Sequence, residues 1–176
     1  QSGDCKGVVG TLMTNLGVEL ACREKGMEFV RTRVGDRFVL EELLARKWTL
    51  GGETSGHILS LDRGTTGDGL VAALAVLEVM KATDSSLGDL VSGLQVFPQD
   101  LINVSVDHSA PSELLSDPRI CDSVSSCERQ LGGRGRVVLR ASGTEPVIRV
   151  MVEGDDAISV GKLARGLADE IVSAAG

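Results

Sequence analysis

Between Val8 and Lys47 the chain alternates β-branched runs with amphipathic helical stretches, and this alternation narrows the possible folds more than any other feature. Val8–Met13 predicts a strand, and Asn15 predicts the cap of a helix over Leu16–Lys25 that Gly26 closes. Met27–Val34 predicts a second strand centred on Phe29 and Val30. Phe38–Lys47 predicts a short helix with Leu40, Leu43 and Leu44 on one face. Extended pieces around Trp48–Leu50 and Ile58–Leu61 flank the glycine-rich segment Gly51–His57. Thr66-Gly-Asp-Gly then opens an apolar helix over Leu70–Ala82, and Ser86 with Asp89 caps another short one. The pattern predicts an α/β domain, a mixed sheet flanked by helices. Its abrupt start just before the first strand suggests a domain truncated at its N-terminus.

From about Val96 the pattern changes. Leu101–Val106 reads as a strand, and Asp117-Pro118 as a cap with proline at the first helical position. Behind it Ile120, Val124, Cys127 and Leu131 share a helical face, which Gly132-Gly-Arg-Gly ends. Arg136–Ala141 and Val147–Val152 predict a strand pair. A last helix, about Asp155–Ala174, presents Val160, Leu163, Ala164, Leu167 and Ile171 inward. The β-α-β-β-α order predicts a small α+β domain with an antiparallel sheet and packed helices. Gly93 and Pro98 punctuate the chain between the two patterns, which divides it into residues 1–94 and 95–176.

Composition limits the function classes. Apolar residues make up 42% of the chain but aromatics only 2%, so both cores must be built from Val, Leu, Ile and Ala. A formal net charge of −7 argues against a general nucleic-acid binder, which needs a basic face. It leaves a small anionic ligand open, because a few arginines in a cleft set the local potential. Cys5, Cys22, Cys121 and Cys127 contain no C-x-x-C pair and only two histidines accompany them, so a zinc site is not expected. Cys22, Cys121 and Cys127 fall among apolar helical positions and read as small core residues in a reducing cytosol. No apolar run reaches the roughly 18–20 residues that span a bilayer.

Two segments carry chemistry. In Arg140-Ala-Ser-Gly-Thr-Glu-Pro-Val-Ile-Arg149 two arginines bracket a Ser142-Gly143-Thr144 turn. Guanidinium forks match phosphate oxygens bidentately, and Gly143 lets successive N–H groups turn toward an anion. The plainer reading is a hairpin turn with two solvated arginines. In Gly51-Gly-Glu-Thr-Ser-Gly-His57 the side chains of Glu53, Ser55 and His57 alternate, so in an extended loop they project to one side. A carboxylate, a hydroxyl and an imidazole suit vicinal sugar hydroxyls. A glycine-rich turn facing water is again the plainer reading. A serine-protease reading fails for want of a base held against Ser55. Arg33-Val-Gly-Asp36-Arg37 joins a strand to a helix and is a weaker candidate. Thr65-Thr-Gly-Asp-Gly69 lacks the Lys-Ser/Thr of a nucleotide loop and reads as a helix cap.

Together G-G-E-T-S-G-H, the T-T-G-D-G helix start and R-A-S-G-T-E-P-V-I-R-V-M-V-E-G resemble the α-D-phosphohexomutases, and the Ser-Gly-Thr loop is similar to their glucosamine-phosphate branch. The resemblance covers nearly the whole chain. It implies most of the third and all of the fourth of four domains that surround one cleft. Glu53, Ser55 and His57 would then belong to the sugar-binding loop. Arg140, Ser142, Gly143, Thr144 and Arg149 would belong to the phosphate-binding loop, and Arg33, Asp36 and Arg37 to a further substrate-contacting turn. The implied reaction interconverts glucosamine 6-phosphate and glucosamine 1-phosphate for amino-sugar nucleotide and cell-wall precursor synthesis. The implied cofactor is Mg2+, held in the full-length enzyme by a loop that, like the phosphoserine loop, has no counterpart in this sequence. The 176 residues alone are therefore expected to be inactive, with no catalytic residue and no metal ligand of their own. Implied partners are a hexose phosphate and the missing first and second domains, with no nucleic acid and no membrane. A homodimer is among the assemblies open to the cytoplasmic parent. A phosphomannomutase or phosphoglucomutase fragment and a non-catalytic sugar-phosphate-binding module are the alternatives.

Overall fold

Backbone hydrogen bonds sort the strands into two separate sheets. The computed structural model describes residues 5–106, 111–142 and 145–175. They fall into two units, Gln1–Val96 and Phe97–Gly176.

In the first unit the order is β1 (Gly7–Thr11), α1 (Leu16–Glu24), β2 (Glu28–Thr32), α2 (Asp36–Arg46), β3 (Leu50–Gly52), β4 (Ile58–Ser60), α3 (Gly69–Thr83) and α4 (Leu87–Val91). The sheet runs β2-β1-β3-β4, with β1 parallel to β2 and β3 and β4 antiparallel to β3. This is the mixed sheet that the alternation predicts. The chain leaves β1 toward β2 and returns across it to β3, so right-handed crossovers put α1 and α2 on opposite faces. On the α2 face Val39 and Leu43 pack with Val9, Trp48 and Leu59. On the other face Val8, Phe29, Leu50 and Ile58 line an apolar groove beside Val18 of α1.

Short polar side chains start the helices where the sequence places them. Asn15 accepts from Gly17 N at 3.0 Å, Asp68 accepts from the N–H groups of Leu70 and Val71, and Ser86 with Asp89 forms a reciprocal capping box. One expectation about burial fails in this unit. Leu44 is 63% exposed while Val39 is buried, because α2 is rotated to put Val39 and Leu43, four residues apart, against the sheet. Helix α3 forms as expected but buries none of its side chains.

The second unit contains β5 (Gln99–Ser105), α5 (Pro111–Leu114), α6 (Pro118–Leu131), β6 (Gly135–Ala141), β7 (Val147–Gly154) and α7 (Ala157–Ala175). Its antiparallel sheet has the order β5-β7-β6. Helix α5 has no counterpart in the sequence reading. Ile120 and Leu131 of α6 and Val160, Ala164, Leu167 and Ile171 of α7 pack on Val104, Ile148, Val150 and Val152. Cys127 is buried as expected, but Cys121 is exposed, one helical step away from the buried Ile120. Burial pushes the thiols of Cys22 and Cys127 above their ordinary values, away from the reactive thiolate.

Both ends of the connecting segment are anchored within their own units. A Cβ on Gly17 would lie 1.7 Å from Gln95 O, so that helical glycine exists for the close approach of Gln95. Beyond the connection Pro98 O accepts from Gly154 N at 3.1 Å. Beside it the carboxylate of Glu153, 0% exposed, accepts from Gln99 Nε2 at 2.8 Å and from Arg136 Nε at 2.6 Å. The three residues are cross-strand partners on β5, β7 and β6, so one buried charge braces the whole sheet. Glu153→Ala, which leaves the Arg136 guanidinium without that partner, is expected to cost about 3 kcal/mol in urea unfolding, whereas Glu153→Gln should cost clearly less.

Candidate functional site

The register of β6 on β7 puts Arg140 directly opposite Arg149, and β5 adds Asn103 on the far side of Arg149. Directly opposed residues point to one face, so two guanidinium groups and an amide form a row across three strands. Like charges in that position repel. Burial pushes the Arg140 guanidinium below its ordinary value, and neighbouring Arg149 acts in the same direction. The Nε atoms of both arginines are buried and have no hydrogen-bond acceptor among the described residues. Among the described residues Arg149 pairs with Glu145, whose carboxylate lies 3.7 Å from an Arg149 Nη and is itself 61% exposed. Two guanidinium groups side by side hold their donors in fixed forks, a geometry that matches the oxygens of a phosphate or carboxylate.

The connection between β6 and β7 is closed by Ser142 N, which donates to Val147 O at 2.8 Å, and Val106 N donates to Pro146 O at 2.8 Å. Ser142 is thereby held at the end of the arginine row. Gly143 and Thr144 lie outside the described residues. Asn103 was missed in the sequence because only strand pairing, and no motif, brings it beside Arg149.

In the first unit β1, β2 and β3 are parallel, so the segments that follow them emerge at one edge of the sheet. Strand order reverses between β1 and β3, the place where open α/β sheets bind ligands. Leu12–Asn15, Arg33–Asp36 and Glu53–His57 all lie at this edge, and the first of these carried a helix-cap signal at Asn15 but no functional one. The third is not an extended loop. Glu53 N donates to His57 O and Gly56 N to Glu53 O, both at 3.0 Å, and Gly56 takes φ +89°. Gly51–His57 is thus a tight hairpin between β3 and β4, with Ser55 exposed at its tip. Glu53 and His57 share a side because they face each other at the hairpin base, not because they alternate.

Two of the sequence candidates meet there. Glu53 Oε1 accepts from Gly35 N at 2.8 Å, and His57 Nδ1 lies 3.5 Å from Asp36 Oδ2. The hairpin and the turn before α2 are therefore locked together. Arg33 and Arg37 are turned to local partners: the Arg33 guanidinium lies 4.1 Å over the Phe38 ring, and Arg37 Nε donates to Glu41 at 2.8 Å. Among the described residues no three His, Cys, Asp or Glu side chains converge to hold a metal ion. Among the described residues no helix is long and apolar enough to cross a membrane. Chemically, the arginine row offers charged donors and the hairpin a carboxylate, a hydroxyl and an imidazole, groups suited to holding a polar anionic molecule.

The repulsion between the two arginines has a measurable consequence. Arg140→Met is expected to raise the ligand-free stability by about 0.5 kcal/mol in urea unfolding. Millimolar phosphate should stabilise the wild type and leave the variant unchanged.

Comparison with known proteins matches both units. Residues 1–97 match the phosphoglucomutase/phosphomannomutase alpha/beta/alpha domain III, and residues 101–170 match the C-terminal domain of the same family. Phosphoglucosamine mutase of Halorhodospira halophila is 54% identical over 168 residues, which are 96% of this chain and 36% of that protein. Phosphoglucosamine mutase of Legionella pneumophila is 51% identical over 94% of this chain and 36% of its own length. The chain thus spans a little over a third of these relatives. Among solved structures, N-acetylphosphoglucosamine mutase of Aspergillus fumigatus shares the fold, with a TM-score of 0.82 at 19% identity over 96% of this chain and 38% of that one. The same enzyme in complex with GlcNAc-6P and magnesium gives a TM-score of 0.75 at 20% identity, over 94% of this chain and 41% of that one. With both models matched in order along the sequence, the chain belongs to the phosphoglucomutase/phosphomannomutase family, of which it carries domain III and the C-terminal domain.

Proposed function

We propose that this chain is the substrate-holding part of a phosphohexomutase that interconverts glucosamine 6-phosphate and glucosamine 1-phosphate. The observation that carries the reading is the opposed pair Arg140 and Arg149, buried at Nε and without acceptors there among the described residues. A phosphate dianion supplies acceptors and counter-charge at once. In this reading Arg140, Ser142, Gly143, Thr144 and Arg149 hold the phosphate that is not being transferred. Glu53, Ser55 and His57 hold the ring hydroxyls, and Arg33, Asp36 and Arg37 stand at the rim of that loop. The amino sugar is favoured because relatives more than half identical are named phosphoglucosamine mutases.

A clamp of this kind lowers the barrier by position alone. It fixes the sugar through groups that do not react, and phosphate is the anchor common to both orientations of the hexose. Transfer itself needs a phosphoryl donor and charge neutralisation. A magnesium ion would supply the latter in the full-length enzyme, and the described residues of this chain offer no ligand set that fits it. The first and second domains of a cytoplasmic parent, alone or as a homodimer, would complete the cleft.

Two measurements test the reading. Arg140→Ala should weaken glucosamine 6-phosphate binding by about 1.5–3 kcal/mol in calorimetric titration and leave glucosamine binding unchanged. Equal losses for both ligands would contradict the assignment. In a coupled assay the 176 residues alone should form no glucosamine 1-phosphate, and any turnover by the purified chain would refute a purely holding role.

A further inference from the structure

We infer that Gly67 is a positioning residue for the His57 imidazole, and that the Thr65-Thr-Gly-Asp-Gly69 segment is thereby a wall of the sugar-binding loop as well as a helix cap. The inference rests on the sugar-loop reading proposed above for what the imidazole binds. It does not rest on that reading for the packing.

A Cβ added to Gly67 would lie 1.9 Å from His57 Nε2, 2.0 Å from Cδ2 and 3.0 Å from Cε1. No side chain fits there while the ring stays where it is. The backbone does not demand glycine at this position, since Gly67 is absent from the residues of positive φ. Space for the ring is what demands it. The segment is a firm wall because the next residue, Asp68, accepts from Leu70 N at 2.8 Å and Val71 N at 3.1 Å and so fixes the loop to the start of α3.

The other sides of the ring are set by residues already described. Asp36 Oδ2 stands 3.5 Å from Nδ1. The His57 backbone is held by Glu53 N at 3.0 Å, and the Glu53 carboxylate by Gly35 N at 2.8 Å. The imidazole is thus seated between the start of α2 and the start of α3, on a hairpin whose base is tied to the first of them. A seated ring meets a hydroxyl without first losing rotamer freedom, which is how a group that touches no substrate improves binding. Because the neighbour of the missing Cβ is the far end of a rotatable side chain, Gly67→Ala displaces the ring and leaves the fold intact.

The test uses the 15N-labelled chain, which has two histidines, His57 and His108. Gly67→Ala should shift the His57 ring resonances and leave the unfolding midpoint unchanged. It should weaken glucosamine 6-phosphate binding about tenfold, as His57→Ala does, and the double variant should be no weaker than His57→Ala alone. Inorganic phosphate should perturb Arg140 and Arg149 equally in all of these proteins. Gly69→Ala, where an added Cβ meets nothing within 4 Å, is the control for a methyl group in the same segment. Unmoved His57 resonances in Gly67→Ala, or a further loss in the double variant, would overturn the inference. A His57→Ala protein that binds the sugar phosphate like wild type would instead overturn the sugar-loop reading, and the ring shift in Gly67→Ala would still report the packing.

Discussion

Backbone pairing between β6 and β7 sets residue 140 opposite residue 149, and arginine occupies both places. Directly opposed like charges destabilise a sheet, and burial of the Nε atoms without acceptors among the described residues adds to the cost. The rest of the second unit compensates. Its helices bury an aliphatic face of the same three strands, and two rows along the sheet Glu153 satisfies Arg136 and Gln99 at full burial. Among the described residues the sheet therefore pairs Arg136 with a fully buried carboxylate, Arg149 only with the exposed Glu145 at 3.7 Å, and leaves the Nε atoms of Arg140 and Arg149 without an acceptor. That contrast is what supports the proposed phosphate site at Arg140 and Arg149.

The first unit works by convergence. Parallel β1, β2 and β3 send three connections to one edge, and a backbone N–H together with a His–Asp contact joins two of them. Gly35 N donates to the Glu53 carboxylate, so the acidic group of the hairpin is oriented by the turn before α2. Gly67 and Asp36 confine His57 from two helix starts. Polar side chains held this way are ordered before a ligand arrives, which is what positioning chemistry requires.

Local signals in the sequence carried much of this. Strand–helix alternation predicted the mixed sheet, and Asn15, Asp68, Asp117 and the Ser86–Asp89 pair predicted helix starts, because a cap is a contact between near neighbours. The pairing of Arg140 with Arg149 was legible because both arginines lie within ten residues, on either side of one turn. What depends on rotation or tertiary contact was not legible. Leu44 has the right spacing for the face of Leu40 and Leu43, yet α2 turns Val39 inward instead. Cys121 lies one step off the buried stripe of α6. Glu53 and His57 were placed on one side for the wrong reason, since a hairpin and not an extended loop brings them there. Asn103 and Gly67 carry no motif of their own for this role: one gains its place by strand register, the other by the space it leaves.

The most direct measurement of the central claim is the pair of Arg Nε–H signals of Arg140 and Arg149 in nitrogen-resolved NMR spectra, followed as inorganic phosphate is added. Acceptance of those protons by a bound anion should move both signals downfield and slow their exchange with water, with saturation at one common phosphate concentration. If both signals stay in place while phosphate binds elsewhere on the chain, the opposed arginines are not the phosphate site.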